Sequence, residues 1–200
     1  MKFAAIDFET ANTRDESICA AAVATFENDQ LMESLYWLVR PPKGYGFFRP
    51  DFISVHGLTH LDVCNSPEFS MIASDFYSRL EAVDMVVAHN AQFDIGKLRG
   101  TSKHFGIQCP SFKYLCTCQL ARRVWPTLKN HRLSTVADHV GHDFDHHHAR
   151  SDAEAAGWAL LAMMKHRHVI SPMELAQMTN VKVISIVQEN QSATQPTKYE

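Results

Sequence analysis

Apolar residues along this 200-residue chain first form short continuous runs and later recur at helical spacing. The runs at 3–9, 18–26 and 31–39 have the length and β-forming composition of strands. A turn-like tetrad, ENDQ, joins the second run to the third, which predicts antiparallel neighbours. Residues 40–50 hold three prolines and two glycines and predict a loop.

The rest of the chain is mainly helical in pattern, with one short buried strand predicted at 84–88. Asn90 and Ser151 stand where N-caps are expected, ahead of two of the helices. Strands followed by helices, with a further strand between them, indicate an α/β fold with a mixed sheet. The predicted helices cover 51–56, 69–82, 91–105, 116–124, 133–140 and 151–166, with a further turn of helix at 172–178.

Composition places the chain among globular proteins, because 46% of its residues are hydrophobic and no apolar run approaches the ~20 residues that span a bilayer. We therefore expect no membrane partner. Five irregularly spaced cysteines do not form a disulfide framework, which predicts a reducing, cytoplasmic location. We expect one domain at 1–168 and a C-terminal extension at 169–200 that is partly disordered. No feature of the sequence indicates an oligomeric state.

The distribution of charge is more informative than its sum. A net charge of −3 argues against a protein that clamps nucleic acid tightly, yet no acidic residue lies between Asp94 and Asp138. This basic interval is a candidate surface for backbone phosphates, or else an ordinary solvated face. Its cations are Lys97, Arg99, Lys103, Lys113, Arg122, Arg123, Lys129 and Arg132.

Two carboxylates occupy one face of the first predicted strand, because Asp7 and Glu9 are separated by a single residue. Buried side by side they would repel each other, and a divalent cation would relieve the repulsion. Oxygen-only ligands favour Mg²⁺ or Mn²⁺ over zinc. A strand end that simply faces water is the alternative. Asp94 and Asp152 open later helices, where compensation of the helix dipole would also explain them.

A run of histidines precedes the last of these acids, in the sequence HDFDHHHARSD at 142–152. Histidine titrates near neutrality and can accept a proton from water. A zinc cluster or a loop of solvated histidines are the competing interpretations. Cys116 and Cys118 do not complete a zinc-binding spacing, which disfavours structural zinc.

Three segments in order resemble the DEDDh (DnaQ-like) group of 3′→5′ exonucleases, which includes the DNA polymerase III epsilon proofreading subunit and bacterial exonuclease X. They are IDFET at 6–10, VAHNAQFD at 87–94 and HHHARSDA at 146–153. The resemblance implies a ribonuclease H-like fold, with a mixed central β-sheet flanked by α-helices. It also implies an enzyme that releases nucleoside 5′-monophosphates from 3′ ends, with DNA favoured as substrate.

The resemblance carries roles to individual residues. Asp7, Glu9, Asp94 and Asp152 match the family's carboxylates and would hold two divalent metal ions, Mg²⁺ with Mn²⁺ as a substitute. Ala149 and Asp152 set the register of the third motif, so the catalytic histidine is His147. A one-residue bulge in this loop could present His148 instead. HGLT at 56–59 resembles a family segment whose apolar residue packs on the terminal base, or it is an ordinary loop.

The substrate contacts expected from this resemblance lie around the carboxylates. Leu58 and Phe93 would sandwich the last base, and backbone groups near Thr10, Ala11 and His89 would contact the terminal sugar. The full expected set is Phe8, Thr10, Ala11, His56, Leu58, His89, Asn90 and Phe93. Three alternatives stay open: an RNA-directed exonuclease, a non-catalytic nucleic-acid-binding or docking module, and a proofreading subunit tethered to a polymerase by its C-terminal tail.

Overall fold

A computed structural model describes residues 1–188 of the chain. Its strands are β1 (Lys2–Thr10), β2 (Ile18–Glu27), β3 (Gln30–Leu38), β4 (Met85–Ala88), β5 (Phe112–Cys116) and β6 (Ile184–Ile186). Its helices are α1 (Pro50–His56), α2 (His60–Val63), α3 (Phe69–Glu81), α4 (Gln92–His104), α5 (Thr117–Val124), α6 (Leu133–Val140), α7 (Ala149–Arg167) and α8 (Pro172–Thr179).

The six strands form one mixed sheet in the order β3-β2-β1-β4-β5-β6. Strands β1, β2 and β3 pair antiparallel, as the tight ENDQ turn predicts. Strand β4 then joins β1 in parallel, and β5 joins β4 in the same way. The carboxyl ends of β1 and β4 therefore meet at one edge of the sheet, close to the start of α4.

Helices cover both faces of the sheet, and the alternation of side chains along β1 shows how. Phe3 and Ala5 point into a core shared with α5, α6, α7 and α8. Ala4 and Ile6 point into the opposite core, against α3 and α4. Because Asp7 continues the first of these rows, its side chain lies on the face of the sheet that α7 covers.

Small side chains bring α7 close to the sheet. β2 presents a row of buried alanines to this helix, and the aromatic ring of Phe26 lies directly over Gly157. A Cβ atom at position 157 would lie 2.1 Å from Cε2 of Phe26, which is shorter than any ordinary contact. This close approach lets α7, which carries Asp152 in its first turn, pack tightly on the sheet.

The predicted mixed α/β fold is confirmed, but the sequence analysis missed two strands and one helix. β5 has five residues, β6 has three, and α2 has four, so none shows a clear periodicity. Both predicted caps are wrong. Asn90 adopts a left-handed backbone (φ 69°) ahead of the helix without a side-chain capping bond, and Ser151 lies inside α7, which begins two residues earlier.

The expected C-terminal extension contributes to the fold over its described part. α8 packs on α5 and α7, with Leu175 and Ala176 buried in the larger core. β6 pairs antiparallel with β5 at the sheet edge. The boundary at residue 168 stays a prediction, and the expected disorder of the tail concerns residues 189–200, outside the described residues. Within residues 1–188, no helix is long and apolar enough to cross a membrane.

Candidate active site

Three of the four predicted carboxylates converge at the end of β1. Oxygens of Asp7, Glu9 and Asp152 all lie within 4.8 Å of one another. Asp7 and Glu9 share a strand face, and α7 delivers Asp152 to that face from its first turn. Asp7 and Asp152 are 145 positions apart in the sequence, and the packing of α7 on β1 brings them together.

The fourth carboxylate, Asp94, enters from the first turn of α4. It is 1% exposed, and its Oδ1 has no hydrogen-bond partner among the described residues. Its negative charge raises the pKa of Asp7 and Glu9, so it lies close enough to interact with both. An unpartnered carboxylate oxygen in a buried position is unfavourable unless a cation or donor joins it.

Mutual repulsion and burial keep these acids from ionising easily. Burial raises the pKa of Asp7 well above its ordinary value, and repulsion from the other three carboxylates adds to the effect. Burial followed by repulsion from Asp152 and Asp94 raises the pKa of Glu9 to about 8. Burial also raises the pKa of Asp94 and Asp152. Burial and repulsion thus outweigh the neighbouring histidines, whose charges act to lower the pKa of Asp152, and a divalent cation would favour the ionised carboxylates.

The donor set fits a hard divalent cation. The three converging ligands are carboxylate oxygens, and Asp94 adds the unpartnered oxygen beside them. Oxygen donors of this kind select Mg²⁺ or Mn²⁺. The predicted metal ligands are therefore brought together, while the identity and number of the ions remain to be proposed.

The loop before α7 places two histidines beside Asp152. The backbone N–H of His147 donates to Asp152 Oδ2 at 3.1 Å, and His146 Nδ1 lies 3.1 Å from Asp152 Oδ1. The rings of these two histidines stack with centroids 3.7 Å apart. His148 instead stacks on Tyr36 of β3, with 4.6 Å between ring centroids. The neighbour that approaches Asp152 alongside His147 is therefore His146, and not His148, which the sequence analysis left open as an alternative to His147.

His147 is suited to accept a proton at neutral pH. Burial, followed by the nearby charge of His146, lowers its pKa below the ordinary value. Its ring is consequently neutral over most of the range in which cells work.

The HGLT segment is held against the end of β1 by His56. The backbone N–H of Leu58 donates to Nδ1 of His56 at 3.0 Å, so Nδ1 carries no proton. Nε2 therefore carries the proton and donates to the carbonyl of Thr10 at 3.1 Å. Burial lowers the pKa of His56, which favours this neutral tautomer. These bonds fix Leu58 beside the strand that bears the carboxylates.

Other predicted substrate contacts are placed less directly. Phe8 is 2% exposed and packs against Phe69 and Phe76 on the opposite face of β1, so its side chain cannot contact a substrate. The sequence analysis missed this because it did not apply the alternation of the strand to Phe8. The backbone of Phe8 hydrogen-bonds to Asp94. The backbone N–H of Ala11 donates to Ser17 at 2.8 Å and is thus already used.

The side chain of His89 has a structural role. Its Nδ1 lies 3.0 Å from Thr117 Oγ1 and its Nε2 lies 2.8 Å from the carbonyl of His131, which ties β4 to the segments around α5. Burial lowers its pKa to about 4. Asn90 and Phe93, in contrast, are exposed beside the carboxylates, and Phe93 is 41% exposed. Both side chains are therefore accessible from solvent.

Lys97 corrects the interpretation of the basic interval. Its side chain is buried, and Nζ contacts the carbonyls of Thr13 and Arg14 at 2.8 and 3.1 Å and Asp15 Oδ1 at 3.1 Å. The same ammonium lies 5.1 Å from the ring centre of Phe93. Lys97 therefore organises the loop after β1 and is not available to phosphates, whereas the other seven cations of the interval are exposed.

Asn12 is a second residue that sequence reasoning missed. Its side-chain amide donates to the carbonyls of Tyr45 at 2.8 Å and Phe47 at 2.7 Å. These bonds hold the loop after β3 over the end of β1. An asparagine two residues beyond a strand is a common turn residue, so the sequence carried only a weak signal for this role.

Comparison with known proteins agrees with this geometry. A family model described as Exonuclease (RNase_T) matches residues 4–159. The chain is 34% identical over 127 residues to the PolC-type DNA polymerase III of Oceanobacillus iheyensis, covering 62% of this chain and 9% of that protein. It is 28% identical over 169 residues to the 3′-5′ exonuclease DinG of Bacillus subtilis, covering 82% of this chain and 18% of that protein. The chain thus spans less than a fifth of the length of these relatives.

Solved structures show the same fold. Exonuclease X in complex with 5′ overhanging duplex DNA superimposes with a TM-score of 0.71 at 22% identity, covering 88% of this chain and 99% of that one. The nuclease domain of 3′hExo bound to rAMP superimposes with a TM-score of 0.68 at 15% identity, covering 92% and 96%. The segment that matches the family model contains all four carboxylates of the site, Asp7, Glu9, Asp94 and Asp152. The chain therefore belongs to the exonuclease family, within its DEDDh, DnaQ-like 3′→5′ group.

Proposed function

We propose that this protein removes nucleotides from the 3′ ends of DNA, with single-stranded or frayed ends as its preferred substrates. The observation that carries the proposal is the convergence of Asp7, Glu9 and Asp152 within 4.8 Å, with buried Asp94 beside them. Such a group of acids is strongly destabilising without cations, which indicates a site built to hold them. The group also matches the family's active-site motifs in order.

Two divalent cations, when bound, would polarise the scissile phosphate and stabilise the oxygens of the attacking water and the departing sugar. Asp7, Glu9, Asp94 and Asp152 would together hold these ions. In this arrangement the carboxylates act only when ionised. Mg²⁺ is the proposed physiological ion, and Mn²⁺ should replace it.

His147 would take the proton from the attacking water. The N–H of its own backbone fixes it to Asp152, so the imidazole stays next to the metal ligands. The oxygen of the water would form a bond to phosphorus as the bond from phosphorus to the 3′ oxygen breaks. The products would be a nucleoside 5′-monophosphate and a shortened strand with a free 3′ hydroxyl.

Positioning of the terminal nucleotide would come from apolar and backbone groups. Leu58, fixed by His56, and the exposed ring of Phe93 would enclose the last base. Stacking of this kind tolerates any base, so little sequence preference is expected. The backbone near Thr10 is the proposed contact for the terminal sugar, and the exposed cations from Arg99 to Arg132 are proposed to follow the upstream phosphates.

DNA is preferred over RNA as the proposed substrate because a relative that is 34% identical to this chain is described as DNA polymerase III PolC-type. Digestion of 5′-labelled oligonucleotides in Mg²⁺ tests this proposal. Matched DNA and RNA strands, single and duplex, should give a ladder that shortens one nucleotide at a time, faster for single-stranded DNA. EDTA should abolish the ladder. Full digestion in EDTA would refute the metal-dependent mechanism. Faster digestion of RNA than of DNA would indicate that the protein is an exoribonuclease.

Association with a polymerase remains a proposal of lower priority. The PolC-type relatives contain this region as 9% of a much longer protein. The tail expected to act as a tether spans 180–200, and its residues 189–200 lie outside the described part of the chain. Co-purification of a polymerase with the full chain, compared with a version ending at residue 188, would test the idea.

A further inference from the structure

Beside the oxygen site lies a second group of ligands with different chemistry. His146, His147 and Asp152 offer ligand atoms that all lie within 4.8 Å of one another. This group contains two imidazoles, whereas the group of Asp7, Glu9 and Asp152 contains only carboxylates. Asp152 is common to both groups, so an ion bound to one of them competes for a ligand of the other.

The backbone brings the two imidazoles to the same side. Consecutive side chains in extended backbone point in opposite directions. His147 instead has a φ of +70°, the left-handed region that residues other than glycine seldom adopt. This turn stacks the ring of His147 on that of His146, with centroids 3.7 Å apart. Asp152, at the start of α7, fixes the turn by accepting the backbone N–H of His147.

The spacing suits a small transition-metal ion. Zinc binds imidazole nitrogen and carboxylate oxygen at ~2.0–2.2 Å, so tetrahedral ligand atoms lie ~3.4 Å apart. His146 Nδ1 and Asp152 Oδ1 are already 3.1 Å apart. The side chain of His146 is 35% exposed, so an ion can enter from solvent. Two imidazoles and one carboxylate leave a fourth position for water.

Ligand chemistry separates the ions that would use the two groups. Mg²⁺ prefers oxygen and binds imidazole poorly, whereas Zn²⁺ and other late first-row ions favour imidazole. We propose that His146, His147 and Asp152 form an inhibitory zinc site adjacent to the magnesium site. Zinc bound there occupies the imidazole of the proposed general base and one carboxylate needed by the catalytic ions. The inhibition rests on the proposed exonuclease function, but the binding does not.

Direct titration of metal tests the site without any activity measurement. Zn²⁺ is added to the EDTA-stripped, dialysed protein in competition with a chromophoric chelator, with Mg²⁺ in excess. We expect His146→Gln to weaken zinc binding at least tenfold, since the amide can still hydrogen-bond to Asp152 but provides no imidazole. His148→Gln is the matched control, because His148 stacks on Tyr36, and it should leave zinc binding unchanged.

Cobalt supplies a spectroscopic test of the ligands. Co²⁺ bound with imidazole at four or five ligands absorbs in the visible far more strongly than Co²⁺ held by oxygens and water alone. The intense band should appear in the unaltered protein and in His148→Gln, and should be lost in His146→Gln. Thermal unfolding of all three proteins without metal should coincide, which would show that the fold is retained.

Inhibition is then measured by oligonucleotide digestion in Mg²⁺ with increasing Zn²⁺. The zinc concentration for half-inhibition should rise at least tenfold in His146→Gln, relative to that variant's own zinc-free rate. Equal zinc affinity in His146→Gln and the unaltered protein would overturn the proposal and place zinc at the carboxylates. Tight, His146-dependent zinc binding by a protein that digests nothing would instead refute the exonuclease proposal and leave the zinc site standing.

Discussion

The free-energy cost of ionising Glu9 should make the stability of the metal-free protein depend on pH. Burial and the neighbouring acids raise the pKa of Glu9 from 4.5 to about 8. Each pKa unit corresponds to ~1.36 kcal/mol, so the ionised form is disfavoured by about 5 kcal/mol in the folded state. Glu9 is partly exposed, and its pKa depends on the charges of Asp7, Asp94 and Asp152. Solvent screening and protonation of these neighbours therefore reduce the energetic cost of ionising Glu9.

The sign of the pH dependence follows from linkage. The unfolded chain ionises Glu9 near pH 4.5, whereas the folded chain retains the proton until about pH 8. The stability that the protonated group contributes is therefore fully present below pH 4.5 and is lost as the pH rises through about 8. Removing the charge with Glu9→Gln should stabilise the metal-free protein at pH 8 and change it little near pH 4.5.

We expect Glu9→Gln to raise stability in EDTA at pH 8 by ~1–3 kcal/mol, or ~3–10 °C in Tm for a chain of this size. Thermal unfolding followed by fluorescence at pH 5, 6.5 and 8 measures the effect. Glu81→Gln, at the exposed end of α3, is the control and should shift Tm by less than ~1 °C at any pH. A difference between Glu9→Gln and the unaltered protein that does not grow with pH would refute the reasoning.

Magnesium should reverse the order of stability. An ion bound only to the folded state at 100 times its Kd stabilises by ~2.7 kcal/mol. The unaltered protein should therefore gain more from Mg²⁺ at pH 8 than Glu9→Gln, which lacks a ligand. Equal gains in both proteins would indicate that Glu9 does not hold the ion.

Three further substitutions test the site and the packing around it. Asp7→Ala should abolish nucleotide release without lowering Tm in EDTA, because it relieves repulsion; residual release above ~1% would contradict a role for Asp7 in holding metal. His147→Ala should lower the rate constant of single-turnover digestion by ~10²–10⁴, whereas His148→Ala should have little effect. The reverse result would show that His148, and not His147, is the general base. Gly157→Ala should lower the free energy of unfolding in urea by ~1–3 kcal/mol, because the added Cβ would collide with Phe26. Gly96→Ala, whose added Cβ would meet no atom within 4 Å, should raise it by up to ~1 kcal/mol. Equal effects of the two substitutions would refute the packing argument.

The sequence predicted the central part of the fold because its elements are long and strongly patterned. β1 is a continuous run of apolar, β-forming residues and α7 is a 19-residue, alanine-rich segment, so both are visible from composition and length. β5 and β6 are too short for a period to emerge, and their pairing depends on contacts between distant segments. The carboxylates were predictable because three motifs carry them, and the structure supplies the convergence that a linear pattern cannot show.

The errors concern residues whose roles are set by tertiary contacts. Lys97 resembles its exposed basic neighbours in sequence, and only the fold shows its Nζ on the carbonyls of the 13–15 loop. His146 differs from His147 and His148 only in position, and the left-handed backbone at His147 decides which neighbour approaches Asp152. A single residue's conformation thus determines the chemistry of a whole loop, and no local pattern reports it.

The tether formed by Lys97 has a mechanical consequence. It lies three residues beyond Asp94 on α4, and its ammonium binds the chain shortly after Glu9. The start of the helix and the loop leaving the strand are therefore linked and must shift in concert. A displacement of residues 13–15 would therefore also displace Asp94. Misalignment of residues 13–15 would then slow cleavage because Asp94 itself is out of position, so the rigidity of this link would add to the positioning proposed for Leu58 and Phe93.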